Sequence, residues 1–332
     1  MESLHKQTAN LITAAKNIVV LQADNPDGDS LASALALESI LGDMGKEVTL
    51  VCGIDMPAHL HYLSGWSRVQ KELPSKFDLT ILVDASTVTL LETLDKNGQL
   101  SWVKTKPFII LDHHATSSGI SFATVTINDG GVSTGEVIYD LAKATGMAMT
   151  VESMNYIAVS IMSDSLGLTT DSTTAKSIRI IADLVESGVS LSELDDARRE
   201  LMKRDPVLLP YKGQLLQRVE FYDENKIAII TIPWKEIEAY SSLYNPSMLA
   251  LDDMRMTIGV CIAIAFKTYT TGRVTAKIRC NSGSAIADKL ADHFGGGGHK
   301  FAAGFKVSKV PDFIAFKKEV IQKASELLKE QA

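Results

Sequence analysis

The sequence predicts an α/β protein of two domains: a first with a mostly parallel sheet flanked by helices, and a smaller α+β domain after it. Three observations predict it. The 332 residues exceed what one hydrophobic core usually serves. Through the first two hundred residues, short β-branched runs alternate with helical stretches, the pattern of strands joined by crossover helices. Beyond residue 217 the strand-like runs follow one another with turn signals between them, and two helical stretches close the chain.

Residues 17–22 read as the first strand. The loop 24–30 follows, and then Leu31, Leu35, Leu37 and Leu41 recur at helical spacing through Met44, before Gly45. Residues 46–52, 79–84 and 108–111 are three more strands, each a nearly unbroken apolar run of the kind covered on both faces. Helices are expected over 133–145, 152–163 and 174–187, the last closed by Gly188. Residues 191–217 turn charged and helical, with Asp205, Pro206 and Pro210 as breakers. The expected organisation is therefore a first domain over 1–190, a helical linker over 191–217 and a second domain over 218–332. In the second domain strands are expected over 219–222, 227–232, 257–268 and 273–281, and helices over 284–294 and 311–329.

Composition excludes several function classes. The net charge of −7 argues against a broad basic face that tracks long nucleic acid by releasing counterions, and leaves room for a small anion held at one site. Cys52, Cys261 and Cys280 are odd in number and widely spaced, so neither a disulfide framework nor a zinc cluster is expected and a reducing cytoplasm fits best. The longest apolar run, 258–266, is too short to span a bilayer. The N-terminus lacks a basic stretch followed by an apolar core and a cleavage site, so neither membrane nor export is expected. The apolar helices leave a homodimer open.

Four acidic features fall at the carboxyl ends of expected strands or in the segments after them: Asp27-Gly28-Asp29, Asp84, Asp112-His113-His114 and Asp164. In an open α/β sheet this edge is where ligands bind. Gathered in one crevice, these carboxylates repel unless cations neutralise them, and carboxylate plus imidazole suits Mn²⁺, Mg²⁺ or a related divalent ion. Taken singly, Asn25-Pro26-Asp27-Gly28-Asp29 reads as a turn, Asp84 as a helix N-terminal residue and Asp164 as a surface carboxylate. Asp112-His113-His114 resists such a reading, because it sets three polar ligand groups directly after the apolar run 108–111.

A second signal is Gly295-Gly296-Gly297-Gly298-His299, followed by Lys300, Ala302, Ala303 and Gly304. Consecutive glycines let backbone N–H groups form an anion-binding nest, to which His299 and Lys300 add donors, so phosphate is the expected guest. A flexible hinge is the plainer alternative. Arg279, on the strand before this element, is either a fork for a phosphate oxygen or a solvated strand-end residue.

In these motifs, taken in this order and spacing, the sequence resembles the DHH phosphoesterases that carry a C-terminal DHHA1 domain, the oligoribonuclease and pAp-phosphatase group called nanoRNases. The matching segments are residues 25–29, Asp84, residues 112–114, Asp164 and residues 295–304, and the resemblance covers nearly the whole chain. It implies two Mn²⁺ ions in the first domain that activate a water against phosphorus, with the active site between the domains. It assigns Asp27 to one ion, Asp29, His113 and Asp164 to the other, and Asp84 to both, with His114 near the substrate phosphate and Asp84 and His114 as the catalytic pair. Arg279, Gly297, Gly298 and His299 then hold a phosphate or the terminal nucleotide.

The implied activity is Mn-dependent hydrolysis of short oligoribonucleotides, of 3′-phosphoadenosine 5′-phosphate, or of both. The alternatives are hydrolysis of a cyclic dinucleotide such as c-di-AMP, or nucleotide or RNA binding with weakened catalysis. Two departures from the family pattern stand out. The histidine usual four residues before Asp27 is Ala23, which removes a ligand of the first ion, with Asp24 adjacent. Asp164 is followed by Ser165-Leu166-Gly167 where the family has a small residue and glycine.

Overall fold

A computed structural model describes residues 1–114 and 119–331. The chain divides into two compact units, Met1–Lys203 and Arg204–Ala332.

In the first unit α1 (Glu2–Ala14) leads into β1 (Asn17–Gln22), α2 (Gly28–Asp43), β2 (Glu47–Cys52) and β3 (Leu79–Val83). The short helices α3 (Glu92–Lys96) and α4 (Gln99–Val103) precede β4 (Phe108–Asp112) and β5 (Val125–Asn128). The unit closes with α5 (Thr134–Thr145), α6 (Val151–Asp164), α7 (Ala175–Glu186) and α8 (Leu191–Met202). Its sheet is wholly parallel, in the order β2-β1-β3-β4-β5, as the alternation of strands and helices predicts. The unbroken apolar runs have a simple cause. Along β1, Ile18 and Val20 enter one core while Val19 and Leu21 enter the other, and β4 divides Ile109 and Leu111 from Phe108 and Ile110 in the same way.

α2 lies against both the sheet and α6, and its buried positions run almost continuously from Gly28 to Leu41. Its first turn touches α6 so closely that a Cβ on Gly28 would meet Ser163 Oγ at 2.3 Å. Asp27 caps α2, accepting the Ser30 N–H at 3.0 Å. The loop before α2 thereby stands at the carboxyl end of β1.

The second unit contains α9 (Leu208–Gln217), β6 (Glu220–Tyr222), β7 (Ile227–Pro233), α10 (Trp234–Tyr240), α11 (Pro246–Arg255), β8 (Ile262–Thr268) and β9 (Val274–Cys280). It ends with α12 (Ala287–His293), β10 (Gly297–His299), β11 (Ala302–Val307) and α13 (Phe313–Gln331). Its sheet runs β10-β11-β9-β8-β7-β6, antiparallel except for the β7–β8 pair. Here too β8 faces two ways, with Ile262, Ile264 and Phe266 in one core and Ala263 and Ala265 in the other.

Two expectations are corrected. The strand expected from residue 257 starts at Ile262, because 257–260 close a turn in which Val260 N–H reaches Thr257 O at 3.2 Å and Gly259 takes a φ of +86°. The glycine run 295–298 forms no loop nest. Gly295 and Gly296 end α12, and Gly297 and Gly298 begin β10, the edge strand of a hairpin with β11. Close approach explains Gly296 and Gly298: a Cβ on Gly296 would meet Gly304 O at 2.3 Å, and one on Gly298 would meet the Ala303 Cα at 2.5 Å. Residues 191–217 form two helices. Leu191 and Leu194 of α8 pack on the first unit, while Leu208, Tyr211 and Leu215 of α9 are buried in the second.

Candidate metal centre

The carboxyl ends of β3 and β4, the α2 N-terminus and the last turn of α6 bring Asp84, His113, Asp29 and Asp164 together. His113 Nε2 lies 3.3 Å from Asp164 Oδ2, 3.4 Å from Asp84 Oδ1 and 3.5 Å from Asp29 Oδ2. Its other ring nitrogen faces the Gly131 carbonyl at 3.2 Å. Donation of Nδ1–H to that carbonyl leaves Nε2 turned towards the carboxylates, the usual way in which a ligating imidazole is oriented. His113 Nε2 is buried and, among the described residues, has no hydrogen-bond partner.

Asp29 is fully buried. Its Oδ1 accepts from Ser160 at 2.5 Å and from Ser33 at 2.9 Å, and its Oδ2 accepts the Thr134 backbone N–H at 2.8 Å. Asp84, directly after β3, lies in the left-handed region at a φ of 56°, a conformation that costs a non-glycine residue energy and recurs at functional positions. Its backbone N–H still reaches Leu111 O at 3.0 Å, so the sheet holds it in this posture. Asp112, buried at the end of β4, accepts from His114 Nδ1 at 2.7 Å. His114 itself is 52% exposed and stands with its ring centroid 4.4 Å from that of His113.

The electrostatics follow from crowding. Burial raises the Asp29 carboxyl well above the usual range, and Asp84 and Asp164 raise it further. The same causes, burial and then Asp84, raise Asp27. Burial alone would lower the His113 imidazolium, but the carboxylates of Asp164 and Asp84 prevail and push it up to about 11. At Asp112, burial raises the carboxyl but the His114 contact brings it down overall. Among the described residues, no lysine or arginine pairs with Asp27, Asp29, Asp84 or Asp164, and their only cationic partners are the histidines.

These side chains fit a divalent cation. Two groups of donors, Asp84–His113–His114 and Asp29–His113–Asp164, each fall within 4.8 Å of one another. The unpartnered Nε2 in the middle of the carboxylates is the atom such an ion would engage. Asp27 stands beside these groups and belongs to neither. Asp24 does not reach them: its Oδ2 accepts the Thr93 N–H at 2.7 Å, and its other oxygen lies where a Cβ on Gly53 would fall. Ala23, 3% exposed, offers only its carbonyl, which accepts from the Cys52 thiol at 3.2 Å.

Several supporting residues carry no motif. Thr134, Ser160 and Ser33 position Asp29, and residues 128–131 hold both histidines. Asn128 Nδ2 donates to His114 O at 2.6 Å, and the Gly131 N–H reaches Asp129 Oδ1 at 3.0 Å. Lys176 of α7 braces that loop, with its Nζ 2.7 Å from Asp129 and 2.6 Å from Asp140. The four sequence-predicted residues of the second unit lie at one end of its sheet. His299 pairs with Ala302, and Ala302 with Arg279, so His299 and Arg279 occupy one row across β10, β11 and β9, beside Gly297 and Gly298.

A parallel sheet that gathers carboxylates and a histidine at its carboxyl edge defines an α/β protein with a candidate metal-binding site. Residues 17–165 match the DHH family, N-terminal domain. Over 281 residues, 84% of this chain and 81% of the other, the sequence is 27% identical to the bifunctional oligoribonuclease and PAP phosphatase NrnA of Thermus thermophilus. An exopolyphosphatase-related protein from Bacteroides fragilis has a similar structure, with a TM-score of 0.77 at 20% identity, over 99% of this chain and 98% of that one. RecJ of Thermus thermophilus, solved in complex with Mn²⁺, is similar at a TM-score of 0.50 and 17% identity, over 98% of this chain and 54% of that one. The expected fold class, a parallel-sheet domain followed by an α+β domain, is the observed one. No helix among the described residues is long and apolar enough to cross a membrane.

Proposed function

We propose that the protein is a metal-dependent phosphoesterase that hydrolyses short oligoribonucleotides and small nucleotides such as 3′-phosphoadenosine 5′-phosphate. One observation carries the reading: His113 Nε2 is buried, makes no hydrogen bond among the described residues and is surrounded at 3.3–3.5 Å by the carboxylates of Asp29, Asp84 and Asp164. The similarity to a relative named for oligoribonuclease and PAP phosphatase activity supports the substrate class.

In this reading Asp29, His113 and Asp164 would hold one Mn²⁺, Asp27 would serve a second, and Asp84 would be shared between the two sets of ligands. When bound, the ions lower the pKa of a water and offset charge on the entering and leaving oxygens of an in-line displacement. The chain's own residues do the rest. Ser160, Ser33 and Thr134 fix the Asp29 carboxylate, and the Gly131 carbonyl keeps His113 Nε2 turned inward. His114, partly exposed and oriented by Asp112, presents its Nε2 side to a substrate phosphate, with a pKa raised by its Asp112 hydrogen bond so that it carries charge more readily. Arg279 and His299, with the edge-strand amides of Gly297 and Gly298, are the proposed grip on a further phosphate.

The test is incubation of the pure protein with Mn²⁺ and RNA dimers to pentamers, pAp, pApA and c-di-AMP. Turnover of pAp and the short RNAs is expected, and its loss in Asp84→Ala. Absence of turnover for every substrate, with bound Mn²⁺ verified by elemental analysis, overturns the reading. A second reading, nucleotide binding with weak catalysis, is favoured by Ala23, which supplies no side-chain ligand. It requires tight nucleotide binding with no turnover even at high Mn²⁺.

A further inference from the structure

A cavity of about 730 Å³ opens in the first unit next to the metal centre, with Tyr62, Met162, Leu166, Leu194 and Arg198 among its lining residues. Its volume is within the range of roughly 300–1,000 Å³ that holds small organic ligands. Part of its wall neighbours the centre. Met162 and Ser163 occupy the last turn of α6, immediately before Asp164, and a Cβ on Gly28 would come within 2.3 Å of Ser163 Oγ and 3.9 Å of the Tyr62 hydroxyl.

The segment after Asp164 has an unusual backbone. Leu166, Gly167 and Leu168 take φ values of +48°, +75° and +68°, three left-handed residues in a row, two of them leucines that have no polar side chain to ease the conformation. Hydrogen bonds hold the turn: Gly167 N–H reaches Met162 O at 2.9 Å, and Leu168 N–H reaches the hydroxyl of the buried Ser165 at 2.8 Å. Yet Leu166 remains 73% exposed. Burial of its own side chain therefore does not repay the strain, and the turn sets an apolar side chain at the mouth of the cavity.

Tyr62 and Arg198 add the polar part. The Tyr62 hydroxyl has no hydrogen-bond partner among the described residues, although it lies close enough to Asp27 and Arg198 to feel both charges. Arg198 is held by Asp195, with one nitrogen turned to the weak acceptor Met202 Sδ at 3.4 Å. An aromatic ring, an exposed aliphatic wall and a planar cation form a surface on which a flat heterocycle stacks.

We infer that this cavity is the subsite for the base of a nucleotide whose phosphate engages the metal centre, with Tyr62 and Leu166 as its walls and Arg198 at its rim. The inference rests on the phosphoesterase reading of the centre. It is tested by binding alone, so the two can fail separately. The Mn²⁺-loaded full-length protein is titrated calorimetrically with AMP and with ribose 5-phosphate, which keeps the phosphate and sugar and lacks the base. AMP is expected to bind about tenfold more tightly or better. In Leu166→Asn, which suits left-handed backbone and removes the wall, and in Tyr62→Leu, which keeps apolar bulk and removes the ring, that preference is expected to fall to about threefold or less. Ribose 5-phosphate affinity is expected to stay unchanged in both. Equal affinity for the two ligands in the unaltered protein overturns the inference, as does a preference that survives in both variants. Loss of turnover with the AMP preference intact counts against the phosphoesterase reading and leaves the subsite standing.

Discussion

His113 faces three carboxylates with its Nε2 because its Nδ1 is held by a loop, and that loop is held by Lys176. The Asp129 carboxylate takes the Gly131 N–H on one oxygen and Lys176 Nζ on the other. Lys176 also stands 3.6 Å from Glu136, a fully buried carboxylate with no hydrogen-bond partner among the described residues. Removing the lysine would leave like charges facing one another and loosen residues 128–131. Lys176→Met is therefore expected to weaken Mn²⁺ binding about 10- to 100-fold, the usual effect of losing an outer support of a metal ligand. Lys176→Arg is expected to keep most of the affinity. Calorimetric titration with Mn²⁺ checks both, and unchanged affinity in Lys176→Met would show that the loop stands without its brace. At the other end of the site, Ala23→His restores an imidazole where this chain has a methyl group. Tighter Mn²⁺ binding and faster pAp hydrolysis are expected, and an unchanged rate would mean that the centre works with the smaller ligand set.

At the scale of elements, three helices meet so closely that glycine and serine are needed at their crossings. Gly135, in the first turn of α5, donates its N–H to Ser160 Oγ of α6 at 2.8 Å, and Ser160 in turn donates to Asp29 at the start of α2. A Cβ at Gly135 would fall 2.2 Å from Ser160 Oγ and 3.1 Å from Ile157 O. Gly135→Ala is thus expected to cost roughly 1–3 kcal/mol of stability, as overpacking of a tight interior does. By displacing Ser160 it should also weaken metal binding. Urea denaturation and the same Mn²⁺ titration read the two effects, and a variant as stable as the parent would show that α5 can shift. Other elements explain what pattern reading misses. β5 is a four-residue edge strand with only alternate residues buried, and β10 has three exposed residues, two of them glycine, so neither carries the apolar signal of a strand. The glycines of β10 are visible in the sequence, but their hairpin role depends on β11 lying against them.

At the scale of the molecule, the two units have separate cores and respond to different agents. In the proposed reading Mn²⁺ is held by the folded first unit and not by its unfolded chain, so metal at about a hundred times its dissociation constant is expected to stabilise that unit by roughly 2.7 kcal/mol. Calorimetric scanning is expected to show one transition that rises with Mn²⁺ and returns on chelation by EDTA. A transition indifferent to both would count against the metal centre. The second unit responds to acid. Burial alone would raise the Glu236 carboxyl, but the Arg218 guanidinium and the Tyr211 hydroxyl, which donates at 2.9 Å, hold it below its ordinary value of 4.5. A carboxyl depressed in the folded state contributes stability above its unfolded pKa, and this is lost as pH falls through the folded value. Because Arg218 is partly exposed, the contribution is on the order of 1 kcal/mol. Glu236→Gln should therefore be less stable than the parent at pH 7, with the gap narrowing below about pH 4.5, as urea denaturation at each pH would read.

The alternation of strands and helices, the doubly covered sheet and the carboxylates and histidines at its edge are all legible in the chain's local residue pattern. Each of these is a local pattern: an apolar run of strand length, a leucine stripe, an Asp or His directly after a strand. Parallel strands then bring such residues to one edge, because every strand of the sheet runs the same way. Only the tertiary structure decided which of those groups meet. Asp24 and Asp27 are near neighbours of Asp29 in sequence, yet Asp24 anchors a loop and Asp27 stands outside both donor groups, while Asp164, 135 positions beyond Asp29, joins it around His113. The supports of the site, Ser160, Gly131 and Lys176, are ordinary residues whose roles arise from contacts with partners 131, 18 and 47 positions away. No local pattern encodes such contacts, since they depend on where packing places the partner.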